Sequence, residues 1–152
     1  MSRTALLPSF VLTLGLLLSG CGGSDESDTE TTETAAEPLS KTEFATEANA
    51  ICAEGNAELE SEVTTMSDEP SDEEIEEFAV DVFVPNLQGQ HDDIAALGVP
   101  TGDEDDVDAI LSSMQVGIEA VDEDPQVLLD DDDPFNEFYD LAEAYGLKDC
   151  AI

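Results

Sequence analysis

Six apolar side chains, Val107, Ile110, Leu111, Met114, Ile118 and Val121, recur at steps of three and four. Residues so spaced share one face of an α-helix, whereas a strand would alternate at every second residue. The same period returns through residues 41–152. Phe44, Ala48, Ile51, Cys52, Gly55, Leu59, Val63 and Met66 lie on one arc roughly 120° wide, the width of a core-facing stripe, with Glu62 the one intrusion. Ile75, Phe78, Ala79 and Val82 share a second face. Phe83, Leu87, Ile94 and Leu97 form a third, rotated from the second. Phe135, Phe138, Tyr139, Leu141, Ala142 and Tyr145 make the last.

Start and stop signals agree with this period. Ser40-x-x-Glu43 and Ser71-x-x-Glu74 read as capping boxes, which satisfy two orphan backbone donors at a helix start. Val99-Pro100-Thr101-Gly102 reads as a turn, and Asp124-Pro125 as a stop. A short segment, 126–129, leads to Asp133-Pro134, an expected N-cap with proline in the first turn. Gly146 stands where a left-handed C-terminal cap belongs, with Leu147 as its apolar contact. Pro85 lacks an amide donor and disfavours helix at Val84, so a kink or break is expected there. The run 78–84 also suits a buried strand, although nothing nearby reads as its partner. The expectation is an all-α fold, a bundle of about four helices.

The first forty residues are of another kind. Residues 1–3 carry the positive charge of Arg3, and 5–18 are apolar apart from Pro8, Ser9, Thr13 and Gly15. An apolar run of about 14 residues falls short of the roughly 20 needed to span a bilayer, and suits a secretory leader. It ends in Leu18-Ser19-Gly20-Cys21, which resembles the lipobox of bacterial lipoproteins: an aliphatic residue, two small residues, then cysteine. The resemblance implies cleavage between Gly20 and Cys21, acylation of Cys21 with palmitate-type chains, and attachment to a bilayer on the extracytoplasmic side. Residues 22–40 are Gly, Ser, Thr, Asp and Glu with little apolar content. They cannot offset their chain entropy by burial and read as a disordered, self-repelling tether. The organisation is therefore a signal (1–20), a lipidated cysteine and tether (21–40), and a helical domain (41–152).

With Cys21 acylated, Cys52 and Cys150 remain in an oxidising compartment, where two free thiols are unusual, and a Cys52–Cys150 disulfide is expected. The rival use, a metal or catalytic thiol pair, lacks a neighbouring ligand motif; the chain has one histidine, His91. Three short patterns, Glu47-Ala48-Asn49-Ala50-Ile51-Cys52, Val84-Pro85-Asn86-Leu87 with Leu97-Gly98-Val99-Pro100, and Ala144-Tyr145-Gly146-Leu147 before Cys150, together resemble small helical exported lipoproteins of high-GC Gram-positive bacteria. That resemblance implies a helical fold with the same cysteine pairing, and no activity.

The chain holds 39 Asp and Glu against 3 Lys and Arg. Loss of Arg3 with the leader leaves 2 − 39 = −37 on the mature side chains. Such a surface repels nucleic acid and anionic headgroups. It suits high external salt, which screens the repulsion. Acidic groups also cluster at expected helix starts, at 72–74, 103–106 and 130–133, where the helix dipole favours them. Hard oxygen ligands suit Ca²⁺ or Mg²⁺, and the weak candidates are Asp103, Asp105, Asp106 and Asp108, with Asp130 and Asp132 in a second cluster. Asp103-x-Asp105 opens like an EF-hand loop, but Val107 and Asp108 stand at the next ligand and glycine positions. Only loose association with Ca or Mg is expected, and no other cofactor.

Elsewhere, no catalytic constellation emerges. His91 sits beside an apolar arc as a boundary residue. Ser112 and Ser113 are placed on the polar side of their helix and lack the turn of a nucleophile elbow. Paired carboxylates for hydrolysis are uninformative where acids are everywhere. The leading expectation is a non-enzymatic cell-envelope lipoprotein that binds an envelope protein or ligand, or serves the surface structurally. The alternatives are a divalent-cation-binding acidic module and a carboxylate-dependent hydrolase.

Overall fold

The computed structural model describes residues 38–151. The leader, Gly20, Cys21 and the tether up to residue 37 lie outside the described residues. The remainder is all helical: α1 (Lys41–Val63), α2 (Asp72–Phe78), a π-helical turn (Ala79–Phe83), α3 (Val84–Ala96), α4 (Glu104–Glu123), a 3₁₀ turn (Pro125–Leu129) and α5 (Asn136–Tyr145). Helices α2 and α3 follow one another through the π turn without interruption, so four rods make the bundle. Among the described residues none is long and apolar enough to cross a membrane.

Both capping boxes form. The Ser40 amide donates to Glu43 Oε2 at 3.0 Å and the Glu43 amide to Ser40 Oγ at 3.3 Å. Ser71 and Glu74 repeat this at 2.9 and 3.3 Å. Donation from the Ser40 hydroxyl and then its amide to Glu43, and from the Ser71 amide, the Ser67 hydroxyl and the Ser71 hydroxyl to Glu74, favours the ionised carboxyls and holds both below the usual carboxylate range. Leu39 packs against the core from the residue before the cap, the position from which a hydrophobic staple reaches Phe44. The folded unit therefore begins within the span expected to be tether.

The π turn resolves the two faces seen in the sequence. Neither a break nor a strand forms at 78–84. The Val84 amide reaches back five residues to the Ala79 carbonyl, which fits one more residue into the turn than an α-helix does. One residue is worth about 100° of rotation, close to the offset between the Ile75–Ala79 face and the Leu87–Ile94 face. Both stripes thus meet one core, with Ile75, Ala79, Leu87 and Ile94 buried. Widening the helix just ahead of Pro85 also relieves the clash of its ring with the carbonyl four residues earlier.

Helix α4 is the centre of the bundle. Val107, Ile110, Met114, Ile118 and Val121 are all buried. Ser113 is buried too, contrary to its expected polar placement. Its hydroxyl donates to the Ile110 carbonyl at 2.9 Å, so burial leaves it satisfied. The expected arc of α1 is buried only at Phe44, Ala48, Cys52 and Gly55; Val63 is exposed, because the last turns of α1 run past the core.

Helix α5 begins two residues later than the Asp133-Pro134 signal suggests. Asp133 Oδ1 accepts from the Phe135 amide at 2.8 Å and shapes the turn before the helix. Burial and the charge of Asp133 push the Tyr139 hydroxyl up to about 12. At the other end Gly146 has φ 110°. Its amide donates to Glu143 O at 3.1 Å and the Leu147 amide to Ala142 O at 2.8 Å, a full Schellman cap with Leu147 fully buried.

Gly117 faces the ring of Phe135, which a Cβ at that position would overlap. Gly→Ala inside a helix gains about 1 kcal/mol, whereas overpacking costs about 1–3 kcal/mol. Phe135 is also held between Phe83 and Tyr139, at 5.8 and 6.2 Å between centroids, so its ring has nowhere to go. Gly117→Ala is expected to lower stability by about 1 kcal/mol or more in a thermal melt. A raised melting point would mean the ring yields.

Candidate functional site

Polar side chains converge at three places. The first is where the domain begins. Lys41 Nζ lies 3.8 Å above the Tyr145 ring and 3.8 Å from Asp103 Oδ1. The Tyr145 hydroxyl donates to Asp103 Oδ2 at 2.9 Å. The start of α1, the start of α4 and the end of α5 are thereby joined. Burial first, then the hydrogen bond and charge of Asp103, raise the Tyr145 hydroxyl far above its usual range. It stands here as a hydrogen-bond donor to Asp103.

The second is the C-terminal clasp. Cys52 and Cys150 are disulfide-bonded, 5.0 Å apart at Cα, and both are buried. Asn49 and Asn56 flank Cys52 on the same face of α1. Asn49 donates to Gly146 O at 3.1 Å and accepts from the Asp149 amide at 2.9 Å. Asn56 donates to Asp149 O at 2.7 Å. The expected Cys52–Cys150 pairing is thus formed, with both sulfurs joined inside the clasp.

The third is a groove of about 350 Å³ between α1 and α3. Gln90, only 5% exposed, donates to Asn86 Oδ1 at 2.7 Å. Asn86 Nδ2 in turn donates to Glu58 Oε2 at 3.1 Å and to Gly55 O at 3.3 Å. Gly55 is required there, since a Cβ would strike the Gln90 side chain. Glu54, Glu58 and Asp93 border the groove.

The acidic candidates are dispersed. Asp103 is engaged by Tyr145 and Lys41. Asp105 and Asp106 stand in the first turn of α4, and Asp108 is exposed one turn on. Asp130 and Asp132 are exposed before α5. Among the described residues no three His, Cys, Asp or Glu side chains are placed to hold one metal ion. His91 is half-buried, with Nδ1 3.0 Å from Asp92 Oδ1. That bond and one from Gln88 lower the Asp92 carboxyl.

Sequence reading missed the Gln90–Asn86 ladder and the Lys41–Tyr145 stack. The signals were present: a glycine on the apolar arc of α1, and a lysine in a chain almost without them. Compared with models of known protein families, with characterised proteins and with solved structures, the chain has no match.

Proposed function

We propose that this chain is an exported lipoprotein, anchored through acyl chains on Cys21, whose helical domain is a non-enzymatic binding or surface module of the cell envelope. The observation that carries the reading is Leu18-Ser19-Gly20-Cys21 at the end of an apolar leader. The buried Cys52–Cys150 bond supports it, because such disulfides persist in oxidising compartments outside the cytosol. It also accounts for all three cysteines, leaving Cys21 for the lipid. Two or more acyl chains make a stable anchor where one is marginal, and the acidic domain then stands clear of anionic headgroups by repulsion.

The test is expression of the full chain with alkynyl palmitate in a bacterium that processes lipoproteins. The label is expected on a shortened chain that partitions into detergent, within the tryptic fragment that starts at Cys21 and ends at Lys41. Cys21→Ala is expected to lose the label, stay unprocessed and leave the detergent phase. Labelling and membrane retention of Cys21→Ala at wild-type levels would refute the anchor.

A further inference from the structure

The groove between α1 and α3 does not stop at Glu58. It shares Glu58, Pro85 and Asn86 with a second hollow of about 640 Å³, which shares Glu62, Asp81 and Val82 with a third of about 280 Å³. One trough therefore runs from Ile51 on α1 to Met66 in the turn just beyond it, and from Asp93 back to Phe78 on the antiparallel rod. The twelve steps from Ile51 to Val63 alone span about 18 Å of helix.

Its α1 bank carries Glu54, Glu58 and Glu62, all exposed and four residues apart. Like charges at that spacing destabilise a helix; among the described residues none of the three forms an ion pair, and Glu58 accepts a hydrogen bond from Asn86. Asp81 and Asp93 stand on the opposite bank. Among the described residues no lysine lines the trough. Apolar patches lie at both ends, Ile51 at one and Met66, Phe78 and Val82 at the other. Gly89 leaves open space beside the groove, since a Cβ there would meet nothing within 4 Å.

The geometry points to a docking site for a cationic amphipathic helix of a partner protein. A rail of carboxylates stepping about 6 Å, four residues at 1.5 Å each, matches lysines or arginines repeating every fourth residue along a helix. The apolar face of that helix settles on Met66, Phe78, Val82 and Ile51, adding a third helix to an exposed pair. Charge complementarity selects the partner, because every bordering charge is negative. This deepens the binding-module reading and rests on it. Failure of docking would leave the Cys21 anchor untouched, which palmitate labelling tests separately.

The probe is a synthetic 18-residue peptide with Lys on a four-residue repeat and Leu on the adjoining face, titrated by calorimetry against the full chain in non-ionic detergent at moderate salt. Glu54→Gln/Glu58→Gln/Glu62→Gln is expected to weaken binding by at least about tenfold, and Asp122→Asn/Asp140→Asn/Glu143→Gln, with equal loss of charge, by less than about threefold. Gly89→Leu fills the groove without changing charge and is expected to weaken binding by about tenfold. Amide shift changes on the wild-type protein should concentrate at residues 51–66 and 78–93, a readout that needs no variant to fold. No binding of the peptide, equal losses in the two triple variants, wild-type affinity in Gly89→Leu, or shifts spread over the whole surface would overturn the proposal.

Discussion

Replacing Cys52 and Cys150 together by alanine is expected to destabilise the domain by about 2–4 kcal/mol and to lower its melting temperature by roughly 10–25 °C. The bond closes a sequence separation of 98 residues, nearly the whole folded unit. Chain-entropy arguments put the ceiling for a loop of about 100 residues near 4.7 kcal/mol. The native state loses little when the bond goes. Asn49 and Asn56 still hold the backbone of Gly146 and Asp149, and Leu147 remains buried. The loss therefore acts through the unfolded chain, which gains freedom. Urea unfolding separates the two: the midpoint should fall and the slope m should rise slightly, because an uncrosslinked chain exposes more surface. An unchanged midpoint would mean that the clasp is held by its hydrogen bonds and packing alone. A domain of this size holds only about 5–15 kcal/mol in total, so the predicted loss is a large fraction of it.

How much of this was legible in the sequence follows from which interactions are local. The capping boxes at Ser40 and Ser71 and the Schellman cap at Gly146 involve residues within six positions of one another, so their residue types announce them. The cysteine pair was legible by elimination, once Cys21 was assigned to lipid. The π turn was half legible. Its two apolar faces were visible, and so was Pro85, but a face offset by about one residue's rotation reads equally as a kink or as one residue inserted into a continuous helix. Only the requirement that both faces meet the same core decides. Ser113 was misplaced because a hydroxyl that bonds back to its own helix is silent in a hydropathy pattern. The polar ladder of Gln90, Asn86 and Glu58 was illegible for a related reason. Its bonds between helices, from Asn86 to Glu58 and Gly55, join residues 28 and 31 apart, and the residue that admits them, Gly55, shows only as a missing side chain.

Raising NaCl from about 0.05 M to 1 M is expected to raise the melting temperature of the domain by on the order of 10 °C, in the wild type and in the cysteine-free variant alike. Six of the 39 carboxylates precede Lys41, so residues 41–152 carry 39 − 6 = 33 against two lysines, a net −31. Among the described residues the one lysine–carboxylate contact is Lys41 with Asp103. The rest of the acidic charge is self-repelling. A folded chain of this length has a radius of gyration of about 13 Å against about 30 Å unfolded, so folding concentrates the repulsion. At 0.1 M salt the screening length of about 10 Å lets charges act across much of the fold; at 1 M it shrinks to about 3 Å, and only immediate neighbours interact. Each kcal/mol relieved is worth about 4–8 °C in a small domain, so relief of about 2 kcal/mol suffices. Pure screening makes NaCl and KCl equivalent and continues to molar salt. A bound cation behaves differently: millimolar CaCl₂ added at constant 1 M ionic strength would raise the melting point again and saturate. A flat NaCl response would show that the carboxylates stand far enough apart, or deep enough in solvent, for their repulsion to be negligible, and would remove saline adaptation as the reason for the composition. A second, saturating rise with calcium would instead assign part of the charge to a cation site whose ligands the folded chain holds apart until the ion arrives.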